Sequence, residues 1–429
     1  MRRLVNFFAV TLALTLQLTA AVSPDIAQRR AKLGKQISGG IAILFGEKED
    51  PAELHYAFFQ EPNFFYLTGW EEPGAIVLVT PDPAKDSPTY QQEITAPREI
   101  LFLPDRDLRQ ERWTGRKLGP LDPDVKEKTG FSTVLPVSKF ESTVRSLLET
   151  YPKLYTLAKS SGAETLSKLA PMREQQEVRQ TIGGLRLIKS DDEIAKIQKT
   201  TDASVKGHFA AWKSIRAGQY EYQVAAVMVG AYMAEGCQRS AYSPIVGSGF
   251  NSTVLHYSRN SRRMDSGEVT VMDVAAECDN YASDITRTVP VNGKFTPRQR
   301  DIYNIVLGAQ KAAIEAIKPG VAMSRLTTIA KEYIDTHGKD LHGESLGKYF
   351  IHGLGHPVGL DVHDPGGVQG AVLKENMVIT IEPGIYIPEE SLGVRIEDTL
   401  VVTKDGSRNM SGALPRDPDE IERALASRK

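Results

Sequence analysis

Between residues 24 and 180, short apolar runs alternate with stretches whose apolar residues recur at helical spacing. Ile41-Ala42-Ile43-Leu44-Phe45, Ala75-Ile76-Val77-Leu78-Val79 and Ile100 to Leu103 are continuous, which predicts buried strands. Pro81 to Gln92 is rich in Pro, Asp, Ser and Lys and predicts an exposed loop. The texture changes around Gly183-Gly184, and Ser190-Asp191-Asp192-Glu193 follows as a capping box, Ser and Glu each satisfying an orphan amide of the other. A boundary just before Ser190 divides the chain into segments 24–183 and 190–425.

The second segment opens with predicted helices over 191–215 and 220–236, then a strand-rich stretch from Ile245 to Thr288. A third helix starts at Thr296, with Pro297 at its first position and Gln299 at its third, and stops before Pro319-Gly320. A fourth covers Ser324 to Gly338, and two more strands lie near 377–382 and 394–403. Strands and helices mixed along the chain give an α/β class in the α+β sense. No repeat, low-complexity segment or run of like charges interrupts this pattern.

The N-terminus follows another logic. Arg2 and Arg3 precede a mostly apolar run from Leu4 to Ala20, and Thr19-Ala20-Ala21 offers small residues for cleavage. A spanning helix needs about 20 apolar residues, and this run is shorter and broken by Asn6 and Gln17. Residues 1–21 are therefore predicted to be a cleaved signal, with an exported mature chain and no stable membrane anchor. Cys237 and Cys278 can pair in such a compartment or stand as two buried thiols.

Composition narrows the function. A chain of 429 residues, 41% hydrophobic and 25% charged, is too apolar for wholesale disorder. A net charge of −2 removes the electrostatic attraction a nucleic-acid binder needs, and two cysteines exclude a disulfide scaffold or a cysteine zinc module.

Four segments carry the chemistry. Val269 to Asp273 leads through Asp279-Asn280 to a return strand carrying Asp284. Positions paired across a two-residue turn sum to an odd number. Asp273 and Asp284 therefore share one face of a hairpin, where two carboxylates repel unless something positive lies between them. His352, His356 and His363, three of eight histidines, fall in a loop whose Gly353, Gly355 and Pro357 rule out a zinc helix. Glu382 closes the apolar strand Ile379-Thr380-Ile381, and in Val394-Arg395-Ile396-Glu397 alternation puts Arg395 and Glu397 on one face. Each segment alone is compatible with ordinary surface or core residues. Together, two Asp, two Glu and one or two imidazoles suit two divalent ions of the Mn, Co, Zn or Fe kind, the equipment for hydrolysing an amide.

In order and spacing these segments resemble the metal-site blocks of the pita-bread metallopeptidases, and within them the aminopeptidase P group. Phe64-Phe65-Tyr66-Leu67-Thr68-Gly69, Glu72-Pro73, Phe102 to Asp107 and Trp113-Thr114-Gly115-Arg116 are similar to that group's N-terminal domain, which the single-domain methionine aminopeptidases lack. The resemblance implies an N-terminal α/β domain, a pita-bread catalytic domain and a homo-oligomer, dimer or tetramer. It implies metal ligands at Asp273, Asp284, His356, Glu382 and Glu397, holding two ions, with manganese as the expected metal. Asp273 would be the terminal ligand of one ion, His356 would serve the other, and Asp284 and Glu397 would bridge. A hydroxide held by both ions would attack the bond before a proline at the second position of a peptide. Glu382 would also pass a proton, and His256, His352, His363 and Arg395 would contact substrate or handle protons. Trp113 matches an aromatic of substrate or subunit contacts. Phe58-Phe59-Gln60 departs from the group, which often has an arginine before the Gln. Prolidase, which cleaves only Xaa-Pro dipeptides, shares the ligand set; a non-catalytic pita-bread binding protein would be expected to lose ligands. His55, His208, His337 and His342 lack such context and are expected to be surface or core residues.

Overall fold

The structure, a computed structural model, describes residues 24–49, 58–83, 88–96, 98–366 and 370–427. The expected signal at 1–21 and His55 lie outside them. Among the described residues no helix is long and apolar enough to cross a membrane.

The first half is built on a six-stranded mixed sheet with Gly40–Phe45 near its centre. That strand pairs antiparallel with Ile76–Val79 and parallel with Lys153–Thr156, and Glu99–Leu103 follows outside Ile76–Val79. The continuous apolar runs have a direct physical cause. Ile41, Ile43, Leu78 and Phe102 pack against Phe140, Val144 and Leu147 on one face. Ala42, Leu44, Val77 and Leu101 pack against Leu33, Phe64 and Ile182 on the other. Both faces are covered, so alternation with polar residues is lost. The second face is not closed within the first half: its core continues into Tyr281, Val358, Leu360, Val378 and Val401.

In the second half, short antiparallel sheets are flanked by helices over Asp191–Ser214, Glu221–Met233, Pro297–Glu315, Met323–His337 and Pro418–Ala426. The capping box expected at Ser190 is present, and the helix start expected at Thr296 carries one as well. Glu193 N–H donates to Ser190 Oγ and Ser190 N–H to Glu193 Oε2, and Gln299 and Thr296 make the same exchange.

Three expectations need correction. The stretch 81–92 is not all loop, because a helix begins at Tyr90 and runs to Thr95. The helix expected over 220–236 ends at Met233, and the chain then turns through Gly236 at φ +88°. The strand expected over 394–403 is two, Leu392–Arg395 and Asp398–Val402, pairing with different partners. The alternation of Val394-Arg395-Ile396-Glu397 carries on past the end of the first strand at Arg395, so periodicity alone does not place the break there. Glu397 sits at that break.

Cys237 and Cys278 are joined as a disulfide between the end of a helix and the arm of the Asp273 hairpin. Their sequence separation of 41 closes a loop worth about 4 kcal/mol in the chain-entropy account. A Cys278→Ala chain is therefore expected to lose about 2–4 kcal/mol in urea unfolding. Wild-type protein treated with dithiothreitol should match it; a midpoint indifferent to both changes would show that the bond contributes nothing.

Candidate metal centre

The hairpin that carries the two aspartates turns at Asp279-Asn280, both at positive φ (52° and 64°), the geometry of a two-residue type I′ turn. Cys278 pairs with Tyr281 and Asp273 with Thr286, so Asp284 lies diagonal to Asp273 on the same face. The parity argument holds in the structure. One group joins the two carboxylates that sequence reasoning missed. Tyr242 places its hydroxyl 2.5 Å from Asp273 Oδ1 and 2.6 Å from Asp284 Oδ1. Tyr242 lies some thirty residues before the hairpin in an unremarkable loop, so no spacing marks it.

The remaining acids arrive at strand ends. Glu382 follows Val378–Ile381 and is tied by its N–H to Leu354 O at 2.8 Å. Glu397, 1% exposed, accepts from Thr286 Oγ1 at 2.7 Å through Oε2. His356 reaches them because the chain passes very close to Thr380. His356 N–H donates to Thr380 Oγ1 at 3.0 Å, and a Cβ at Gly355 would lie 2.0 Å from Thr380 O. Only glycine allows that approach.

His356 Nδ1 lies 3.1 Å from Pro357 O, a carbonyl that can only accept, so Nδ1 carries the proton. Nε2 then faces Asp284 Oδ2 and Glu382 Oε1, each at 3.3 Å. Arg395 donates to Asp273 Oδ2 at 2.6 Å and to Tyr386 Oη at 2.9 Å. Tyr386 is the second residue the sequence reading missed. Its hydroxyl meets His352 Nε2 at 2.8 Å while His352 Nδ1 donates to Gly353 O at 2.8 Å. Both His352 nitrogens are thus engaged by the protein. His256 and His363 line the same cavity of about 320 Å³ with Asp273, Asp284, Glu382 and Glu397, and the His363 ring stands 4.0 Å from that of His356.

The electrostatics match this crowding. Burial raises Asp273, with Arg395 opposing and Asp284 adding. Burial and the neighbouring acids Asp284, Glu382 and Asp273 raise Glu397 well above its ordinary value. Burial pushes Glu382 up to about 7 against the pull of His356. His356 rises to about 9: burial lowers it, but its bond to Asp284 and the charge of Glu382 outweigh that. Burial and Arg395 bring His352 down to about 4, and burial together with His356 lowers His363.

Glu397 Oε1 is buried and has no hydrogen-bond partner among the described residues. Ligand atoms of Asp273, Asp284 and Glu397 lie within 4.8 Å of one another, as do those of His356, Glu382 and Glu397, and of Asp284, His356 and His363. A desolvated acceptor with no donor costs about 1–3 kcal/mol, more when charged, and the acids around it outnumber the cations. Cations among these oxygens and imidazoles would remove both costs, so the donor set fits divalent metals.

The other expected residues lie elsewhere. Trp113 is 84% exposed on a short helix and takes no part in lining the cavity. Phe59, at the departing position itself, lies under the Arg239 guanidinium at 3.6 Å. His208 is buried with Nε2 on Val274 O at 3.1 Å, while His337 and His342 are exposed, as expected of residues without a site.

Residues 195–404 match the family described as "Metallopeptidase family M24", and residues 26–155 match "Aminopeptidase P, N-terminal domain". The Xaa-Pro aminopeptidase of Haemophilus influenzae is 33% identical over 438 residues, covering 94% of this chain and 97% of the relative. The Xaa-Pro dipeptidase of Pyrococcus horikoshii is 38% identical over 365 residues, covering 82% and 91%. Among solved structures, aminopeptidase P from E. coli with the inhibitor Pro-Leu superposes with a TM-score of 0.84 at 29% identity, covering 94% of this chain and 98% of that one. With an aminopeptidase P-type domain ahead of a pita-bread domain, and with that likeness running nearly end to end, the chain belongs to the M24 metallopeptidases, in their aminopeptidase P group.

Proposed function

We propose that the protein removes the N-terminal residue from peptides with proline at the second position. The observation that carries this reading is the cluster of Asp273, Asp284, His356, Glu382 and Glu397 around one cavity, with the buried acceptor Glu397 Oε1 unpaired. Those five residues would hold two divalent ions, with manganese the expected pair and cobalt, zinc or iron as alternatives. Bound there, the metals would supply Lewis acidity and an activated water near neutral pH.

The chain's own residues do the rest. Glu382, half-buried beside His356, exchanges a proton between attacking water and leaving nitrogen. Arg395 holds Asp273 in place and fixes Tyr386, which orients His352 at the cavity wall. His256 and His363 offer ring nitrogens to the substrate carbonyl or its developing charge. A free substrate amine sits favourably among the acids, which limits cleavage to the first bond. Proline has no amide hydrogen, so a site that offers no acceptor at that point favours it over other residues.

Export belongs to the same proposal, supported by the signal-like residues 1–21 and by a disulfide, a bond that persists outside the cytosol. A homo-oligomer, dimer or tetramer, is supported by Trp113, a large aromatic left exposed on the first domain.

The likeness to a dipeptidase gives a second reading, an enzyme confined to Xaa-Pro dipeptides. Purified protein reconstituted with Mn²⁺ should cleave an Xaa-Pro-Xaa tripeptide at least tenfold faster than the matching Xaa-Pro dipeptide. Turnover of the dipeptide alone would favour the second reading and overturn the first.

A further inference from the structure

The loop from His356 to Asp364 is anchored from outside the metal centre. Asp364, buried, takes two cations on one carboxylate: Arg186 Nη2 at 2.5 Å on Oδ1 and Lys189 Nζ at 3.0 Å on Oδ2. All three side chains are at most 2% exposed. Arg186 also donates to Asn63 Oδ1 at 2.9 Å, in the first-half helix Pro62–Thr68, and to Asp361 Oδ2 at 2.6 Å. Three ions taken out of water cost several kcal/mol each, and well-packed apolar residues often do as well for stability. Stability alone is thus a poor reason for this arrangement.

Asp364 organises its own loop. Its N–H donates to Pro357 O at 2.9 Å, and its Oδ1 accepts from Asp361 N–H at 3.3 Å. A Cβ at Gly359 would lie 2.7 Å from the carboxylate, so the loop wraps tightly around this side chain. Pro357 O is the same carbonyl that accepts from His356 Nδ1, and His363 is the residue before Asp364. Val358 and Leu360, inside the loop, pack into the core shared with Leu33, Phe64 and Ile182 of the first half.

We propose that Asp364 is a positioning residue for His356 and His363, and that Arg186 and Lys189 transmit to it the placement of the first half of the chain. The first domain therefore aims two site histidines through a buried ion cluster. The chain of contacts runs from Asn63 to Arg186, to Asp364, to Pro357 O and to His356 Nδ1. The last bond fixes the tautomer that leaves Nε2 free for a cation. This inference rests on reading the cavity as a metal centre.

The test pairs Asp364→Ala with Lys189→Met, which removes one charge of each sign and leaves Arg186 with Asp361. Co²⁺ binding to metal-free protein is measured by calorimetry, with kcat and KM on an Xaa-Pro-Xaa tripeptide. Loss of an outer partner of a ligating histidine costs about 10–100-fold in metal affinity or activity. The double variant should bind Co²⁺ at least tenfold more weakly and lose at least tenfold in kcat, with KM within about threefold, on the same outer-partner scale. If the cluster only balances buried charge, the double variant will keep both values within about twofold, and the inference is overturned. Lys189→Met alone leaves Arg186 on Asp364 and covers the case in which the double variant does not fold. It should weaken Co²⁺ binding about threefold or more, less than the roughly tenfold loss of a whole outer partner because Asp364 keeps one cation, and an unchanged affinity again overturns the inference. A wild-type chain that binds no Co²⁺ would instead overturn the metal reading, and this inference with it.

Discussion

Replacing Asp284 with alanine will lower kcat/KM on an Xaa-Pro-Xaa tripeptide by about a thousandfold or more, and bound metal will fall to one equivalent or less. Asp284 belongs to two of the three ligand groupings, one with Asp273 and Glu397 and one with His356 and His363, so its loss damages both at once. Metal polarisation contributes several kcal/mol to such hydrolyses, and each 1.36 kcal/mol is tenfold in rate. Folding should survive. The backbone of Asp284 is pinned by Thr399, whose Oγ1 donates to Asp284 O at 2.7 Å, and the substitution leaves that bond intact. Removing one of several crowded carboxylates also relieves mutual repulsion. Metal content of dialysed, Mn²⁺-loaded protein, read by mass spectrometry beside circular dichroism, checks both halves. Unchanged metal and turnover in a folded variant would rule out the dinuclear site.

How much of this centre was legible follows from the range of each signal. The Asp273–Asp284 relation is local: a two-residue turn fixes parity, and parity fixes the face. His356, Glu382 and Arg395 stood out because charged or imidazole side chains are costly inside apolar strands and glycine loops, and such exceptions can be seen without a structure. Glu397 was legible as a residue, but its setting was not, because the alternation continues through Ile396 and Glu397 after the strand has ended at Arg395. Tyr242 and Tyr386 were invisible for a different reason. A tyrosine near a strand is ordinary in sequence, and only the folded geometry shows its hydroxyl bridging two carboxylates or joining Arg395 to His352. The Asp364 cluster is more distant still, since Asn63, Arg186 and Asp361 are joined across 123 and 175 positions.

A larger effect on stability is expected at Asp398, which supports the centre from behind. Its carboxylate is fully buried, accepts from three side chains and pairs with a fourth. Arg287 and Ser411 donate to Oδ1, each at 2.7 Å, Gln310 donates to Oδ2 at 3.1 Å, and the Arg416 guanidinium forms an ion pair with Oδ2 at 3.1 Å. Arg287, equally buried, also donates to the carbonyls of Thr286, Glu397, Leu414 and Pro415. Asp398→Ala leaves Arg287 charged in a dry interior, and breaking such a pair costs about 3–5 kcal/mol. An apolar double replacement, Arg287→Met with Asp398→Leu, will not restore that loss. It strands the four carbonyls that the guanidinium serves, among them the carbonyl of Glu397. Burial alone would raise Asp398, but Arg287 and Arg416 hold it below its ordinary value. Its contribution is therefore complete above the unfolded value of about 3.9 and is lost as pH falls through the lower native one. Guanidinium unfolding at pH 7 should show the full loss, with the gap between wild type and variant shrinking under acid. A variant within about 1 kcal/mol of wild type at pH 7, or a double-apolar counterpart that recovers wild-type stability, would remove Asp398 from the support of the metal centre.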